Sequence, residues 1–330
     1  MRKEYAKLAN RSQIDRLRPY ARQVLEGYDL GAYGLRCVNH GFNTTFEVRT
    51  SRGSRFALRL NINSNRKPEQ LAAEVAWVRA LGEETELDVP HPIANRAGEY
   101  VTVVDCPDLG KPIRAVLYSW LSGANVGNRA TPEIARALGK ATATLHRHGK
   151  AFQMPNGAAL YGYPDILFGA PVRIPADADH GVFGEAIARA NAALDHLRLQ
   201  PAFPIHFDLH AGNLKWHGGR LSVFDFDDSL LGWPGLDAGV SLFYMRRGAT
   251  DPALEEAYWE GMATTPEQLG MDRNQLEALI AGRSAFLANE LLAMNTADWI
   301  PIAQKYVGVT EARLRRYLDT GVFDPSVATI

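Results

Sequence analysis

The sequence predicts an α+β protein whose strands come first and whose helices follow, and three features of the 330 residues predict it. Short strand-like runs at 35–38, 46–49 and 56–60 are joined by two turns into an antiparallel meander. Apolar residues at helical spacing dominate from residue 131 onward. Within that helical part, one Gly218-Gly219 pair between two strand-like runs signals an isolated hairpin.

Taken in order, residues 13–25 place Ile14, Leu17, Ala21 and Leu25 on one helical face, an N-terminal cap over about 11–27 that Pro19 is expected to kink or restart. In the first turn of the meander, Gly41 permits close approach and Asn43, Thr44 and Thr45 follow it with small polar groups. Such a turn brings backbone N–H groups near a phosphate, or simply closes a hairpin. Residues 51–54 make the second turn. Pro68 suits the first turn of a helix over 68–81, where Leu71, Val75, Val78 and Leu81 form the apolar stripe and Glu74 lies beside it. Further strands are expected around 99–104 and 113–120, after which residues 117–123 lead from sheet to helices. Thr131 caps the next helix with Pro132 at its first position, and Gly149 is expected to stop it. The Gly- and Pro-rich stretch 151–180 predicts a long irregular segment on the acceptor side. Helices at 184–199, from 233 onward, and at 251–262, 265–295 and 310–317 complete the chain, with Asp237 placed to cap or brace a neighbouring loop.

Residues 205–228 concentrate the chemistry: four acids, three histidines and an asparagine between short apolar runs. A turn at Gly218-Gly219 pairs positions whose numbers sum to about 437, which sets Asn213 opposite Phe224 and next to Asp225. An amide oxygen and a carboxylate side by side are a hard-oxygen pair suited to Mg²⁺, its remaining positions filled by phosphate and water. Asp208, on the turn that enters the first strand, adds a carboxylate free to accept a proton.

His206-Phe-Asp208, followed after four residues by Asn213, and then Asp225-Phe226-Asp227, resemble the catalytic loop and metal-binding segment of kinases, with Asp227 where glycine is usual. With the flanking residues they are similar to the aminoglycoside phosphotransferase and choline kinase family of protein-kinase-like small-molecule kinases. The resemblance implies a bilobal fold. A small antiparallel-sheet lobe with one helix spans 1–116 and binds the nucleotide; a hinge follows at 117–123; a mainly helical lobe over 124–330 carries the catalytic hairpin and the acceptor site. It also implies that Asp208, with His206, serves the acceptor hydroxyl and that Asn213 and Asp225 hold Mg²⁺ on the phosphates of ATP, or of GTP. Gly41, Asn43, Thr44 and Thr45 would cover the nucleotide, Arg59 would bridge the phosphates and Glu74, and the hinge around Tyr118 and Trp120 would meet the purine. His210 reads as a structural hydrogen bond before a substrate contact, and Asp228 as a further acid or a substrate contact. Arg283, Asn289, Glu290, Asn295 and Asp298 are the polar candidates for acceptor contacts in the tail.

The same letters have other readings. Asp225-Phe-Asp227-Asp-Ser229 also fits a phosphatase with an aspartyl nucleophile, and His206-x-Asp208-x-His210 a metal hydrolase. Neither accounts for Asn213, and the complete Asp208, Asn213 and Asp225 set argues against a regulatory module with little catalysis. Net charge is −1, yet residues 1–150 hold 23 Lys+Arg against 15 Asp+Glu, and residues 151–330 hold 13 against 22. The acidic second part favours an amine-bearing acceptor such as an aminoglycoside or other antibiotic, an amino alcohol or homoserine, with a protein Ser/Thr acceptor as the alternative. No basic stripe argues for nucleic acid, and no run of eighteen apolar residues or signal peptide argues for a membrane. Cys37 and Cys106 form no ligand cluster and suit a reducing, cytoplasmic location, the protein being a monomer or homodimer.

Overall fold

In the computed structural model, which describes residues 4–64, 66–248, 251–293 and 300–329, the chain forms two compact units. The first comprises Met1–Ser122 and Met154–Ala159, the second Gly123–Gln153 and Leu160–Ile330. The protein is an α+β fold with an antiparallel sheet in the first unit and mainly helices in the second.

In the first unit, α1 (Asn10–Leu25) runs as one helix through Pro19, so the expected restart does not occur. Leu17 on one side of Pro19 and Ala21, Val24 and Leu25 on the other are buried against Phe46, Val48, Leu58 and Leu60. That burial offsets the hydrogen bond proline cannot make. Strands β1 (Tyr33–His40), β2 (Thr44–Thr50) and β3 (Arg55–Asn61) pair antiparallel in succession. Next come α2 (Pro68–Glu84), β4 (Pro92–Ile93), β5 (Thr102–Val104) and β6 (Ile113–Ser119), giving a sheet of order β1-β2-β3-β6-β4 with β5 also on β6. Because β6 continues to Ser119, Leu117 and Tyr118 lie in the sheet.

The second unit begins with β7 (Ala124–Asn125) and α3 (Pro132–Ala151), whose N-terminus is capped by Thr131 Oγ1 accepting from the Ile134 amide at 3.3 Å. The helix continues two residues past Gly149. This glycine serves contact instead of termination: a Cβ there would overlap the Pro204 carbonyl oxygen. The stretch that follows is irregular as expected, up to α4 (His180–Leu197). Then come β8 (Phe203–Ile205), the hairpin strands β9 (Leu214–His217) and β10 (Arg220–Val223), β11 (Leu230–Gly232), α5 (Pro234–Gly248) and α6 (Pro252–Met262). Helices α3 and α6 cross at glycine on both sides, since a Cβ on Gly139 would overlap the Tyr258 carbonyl oxygen and one on Gly261 that of Arg136.

The single helix expected at 265–295 is divided. A short 3-10 turn, Glu267–Leu269, precedes α7 (Arg273–Leu291), which starts afresh where Asp272 and Gln275 cap one another, each side chain accepting from the other's amide at 2.8 Å. Most of α7 is buried, against α4, α5 and α8 (Ile300–Thr320). Asn295 and Asp298 lie outside the described residues. No helix among those described is long and apolar enough to cross a membrane.

Candidate active site

Register places the hairpin chemistry. Leu214 pairs with Val223 and His217 with Arg220, and Gly218 and Gly219 both adopt positive φ, at 55° and 78°. A two-residue turn of that hand matches the twist of the strands it joins. Asn213 therefore stands opposite Phe224, whose amide donates to the Asn213 carbonyl at 3.0 Å. Asp225 follows in the left-handed region at φ 66° and is exposed, as is Asp228, whereas Asp227 between them is buried.

Asp208 is gripped by both carboxylate oxygens. Arg283 Nη2 donates to Oδ1 at 2.6 Å, and Asn213 Nδ2 donates to Oδ2 at 2.7 Å and to the Asp208 carbonyl at 3.0 Å. His210 Nε2 lies 3.2 Å from Oδ2. Since His210 Nδ1 accepts from the Gly212 amide at 3.0 Å, Nε2 is the nitrogen that carries the proton toward Asp208. Burial pushes the Asp208 carboxyl up, but His210 and Arg283 outweigh it and hold the group below the usual carboxylate range. Arg283 lies against the rings of Phe207, Tyr244 and Phe286, 5.1 to 5.6 Å from their centroids, and its Nε and Nη1 are buried without a hydrogen-bond partner. The sequence offered Arg283 only as an acceptor contact; its pairing with Asp208, 75 positions away, carries no local signal.

The loop holding Asp208 is braced from beneath. Asp237, fully buried at the start of α5, accepts from the Phe207 amide at 2.6 Å and the His206 amide at 3.4 Å, and meets His146 Nε2 at 2.9 Å. Those bonds hold Phe207 at φ 66°, an unfavourable value for an aromatic residue. His206 is wholly buried against Phe226, with Nδ1 accepting from the Asp208 amide at 3.3 Å and Nε2 donating to the Phe224 carbonyl at 3.2 Å. Burial lowers its pKa, so it is held neutral. His206, expected to serve the acceptor hydroxyl together with Asp208, lies beneath it and ties Asp208 to the hairpin.

The residues fit a divalent cation with few protein ligands. Asn213 uses its Nδ2 on Asp208, which leaves Oδ1 as its acceptor, and exposed Asp225 stands one residue past the position paired with it. No cluster of three or more His, Cys, Asp or Glu able to hold a metal occurs among the described residues, so phosphate and water would complete the shell. On α7, Asn289 is spent on structure, accepting from the Arg173 amide at 2.7 Å and donating to the Pro171 carbonyl at 3.0 Å. Glu290 is half-buried with Arg173 Nη1 at 3.5 Å, and burial raises its pKa.

In the first unit, Arg59 Nη2 meets both Glu74 oxygens, at 2.7 and 2.8 Å, while its Nε donates to Asn61 Oδ1 at 3.0 Å. The pair is buried, and Tyr118 completes it by donating to Glu74 Oε1 at 3.0 Å. The Tyr118 side chain is therefore committed to Glu74 and not offered to a purine. Trp120 lies under the Arg55 guanidinium at 4.1 Å. In the turn between β1 and β2, the Gly41 amide donates to the Asn43 carbonyl at 3.1 Å, and Asn43 is buried. Thr44 is buried too, and its hydroxyl is 2.8 Å from His40 Nδ1. That removes the Thr44 hydroxyl from any phosphate, leaving Thr45, opposite Arg59 in the β2–β3 ladder, as the less buried of the two threonines.

Comparison with known proteins adds three findings. A model of the phosphotransferase enzyme family matches residues 35–271. Amicoumacin kinase of Bacillus subtilis (strain 168) is 25% identical over 198 residues, which is 57% of this chain and 56% of that kinase. The match thus spans about half of the relative's length. Among solved structures, a microcompartment-associated aminopropanol kinase is similar with a TM-score of 0.76 at 21% identity, covering 93% of this chain and 99% of that one. An amicoumacin kinase in complex with AMP-PNP, Ca²⁺ and Ami has a TM-score of 0.73 at 18% identity over 92% and 96% of the two chains.

Proposed function

Given that the chain belongs to the phosphotransferase enzyme family, we propose that it transfers the γ-phosphate of ATP, or of GTP, to a hydroxyl of a small amine-bearing molecule. The observation that carries this reading is the fixed carboxylate of Asp208, bonded through both oxygens on a loop that Asp237 and His206 hold rigid. In the transfer, the acceptor oxygen forms a bond to the γ-phosphorus, the bond from that phosphorus to the β–γ bridging oxygen breaks, and ADP departs with that electron pair. The acceptor proton passes to Asp208. A carboxylate whose pKa is lowered is a weak base, which suits a loose transition state: Asp208 orients the hydroxyl first and takes its proton once the new bond is forming.

Asn213 and Asp225 would hold Mg²⁺, which when bound neutralises charge on the phosphate oxygens. Arg59 is assigned to the nucleotide phosphates, kept in place by Glu74, Asn61 and Tyr118, with the backbone of the Gly41 turn covering them. An amine on the acceptor is supported by the acidic balance of residues 151–330 and by half-buried Glu290. The aminopropanol named in one of the similar structures is of the same chemical class.

The test is incubation of the purified protein with γ-labelled ATP, Mg²⁺ and a panel of aminoglycosides, amino alcohols, homoserine and a generic protein substrate. Label should move to one class of small amine. Asp208→Asn should keep nucleotide binding and lose transfer by roughly 100-fold or more. Equal transfer by that folded variant, or transfer to protein alone, would overturn the reading.

A further inference from the structure

A charged cavity lies in the first unit, and none of its cationic residues has a part in the phosphotransfer described above. Its volume is about 240 Å³, and Asn61, Ser64, Arg66, Lys111 and Arg114 line it. Pairing sets its floor: Asn61 at the end of β3 stands directly opposite Arg114 in β6. The chain leaving β3 brings Ser64 and Arg66, and the approach to β6 brings Lys111. Three cationic side chains thus share one concavity whose described lining contains no acid. Neither Lys111 nor Arg114 has an ion pair or side-chain hydrogen bond among the described residues.

Like charges gathered in a cleft repel one another and focus a positive potential there, a condition relieved by an anion. A neutral donor complements the charges, since the Ser64 hydroxyl, whose oxygen accepts from the Arg66 amide, can donate to a ligand oxygen. We infer that this cavity is a binding site for a small tetrahedral oxyanion, inorganic phosphate or a phosphate monoester. Ligands of this class need several converging donors, which the Arg114 guanidinium and the Lys111 ammonium supply, with Arg66 adding positive charge at the rim. The site also touches the nucleotide-side residues of the same unit, because the Asn61 that lines it accepts from Arg59 Nε at 3.0 Å. Occupancy by an oxyanion steadies Asn61 and through it the Arg59–Glu74 pair.

The experiment titrates the full chain with sodium phosphate, sodium sulfate and sodium chloride at matched ionic strength, following thermal stability and phosphorus-31 line width. Phosphate and sulfate should stabilise the protein saturably and chloride should not. The double variant Lys111→Gln, Arg114→Gln should bind phosphate at least tenfold more weakly. Its ATP-induced stabilisation should persist, which also shows that the variant folds. Phosphate affinity unchanged in the double variant, or equal effects of all three salts, overturns the site. The tie to Arg59 rests on the proposed kinase function and is read separately: phosphate should change ATP affinity at least twofold, and Asn61→Ala should abolish that change. An ATP affinity indifferent to phosphate overturns the tie and leaves the site standing. No ATP binding at all by the unaltered chain points to failure of the kinase reading.

Discussion

Arg283 is 5% exposed, makes one short bond to Asp208, and leaves Nε and Nη1 without hydrogen-bond partners against three aromatic rings. Burying a guanidinium on such terms contributes little to folding, because its desolvation offsets the attraction it gains. Its value lies in the bond it makes, which fixes one oxygen of Asp208 while Asn213 and His210 fix the other. Arg283→Met keeps the bulk among Phe207, Tyr244 and Phe286 and deletes only the donor. We expect a loss of stability of up to about 3 kcal/mol, since Asp208 loses one charged partner but keeps Asn213 and His210, and a fall in turnover of roughly 10-fold or more in the folded variant, with nucleotide affinity unchanged. Full turnover by the folded fraction would make Arg283 a structural cation. The contrast with Asn213 shows where sequence reasoning reached. Asn213 lies five positions from Asp208 on a hairpin whose register a Gly-Gly turn dictates, so its placement was legible; Arg283 arrives from another helix, and only packing brings it there. The pairing of the Thr44 hydroxyl with His40 was illegible for a related reason, since the strand-to-strand turn and not composition sets that partner.

Elements were legible where a single physical preference acted alone. The meander, the stripe of α2 and the Thr131 cap follow from alternation, periodicity and an N-cap oxygen. Boundaries went wrong where glycine or proline answered to packing instead: Pro19 sits within α1, and Gly149 lets α3 approach β8. The β1–β2–β3 sheet carries a feature that no local pattern announces. Glu47 of β2, almost fully buried, accepts from Arg36 of β1, Arg49 of β2 and Arg55 of β3. Burial pushes its carboxyl up, and the three guanidiniums outweigh this and hold it at about 2. Because that lies below its ordinary value of 4.5, the stabilisation is complete above pH 4.5 and is lost as pH falls toward 2. The arginines are solvent-facing, so screening reduces the effect to on the order of 1 kcal/mol. Stability measured by denaturant between pH 5 and about 2.5 should fall in the wild type and fall less in Glu47→Gln; parallel curves would show that the cluster contributes nothing.

At the scale of the molecule, the match to the phosphotransferase family ends at residue 271, while Arg283 and Glu290 come from α7, which begins at Arg273. The residues that would handle nucleotide and metal fall inside the shared segment, and those that would face the acceptor fall partly beyond it. The reaction class was therefore readable from motifs, whereas the acceptor depends on side chains that no shared pattern specifies. One consequence can be measured without knowing the acceptor. A ligand that binds only the folded chain stabilises it by mass action, about 2.7 kcal/mol at a hundredfold excess over Kd, which for a protein of this size raises Tm by several degrees. ATP with Mg²⁺ should produce that rise, and chelating the metal should remove most of it. Asp225→Ala should shrink the rise and make what is left indifferent to Mg²⁺, because Asn213 alone offers one neutral oxygen. Arg59→Gln should weaken the response to ATP with or without metal, since its charge acts on phosphate directly. If Asp225→Ala retains the full magnesium dependence, the cation is held elsewhere and the hairpin's part in the reaction must be reassigned to Asp208 alone.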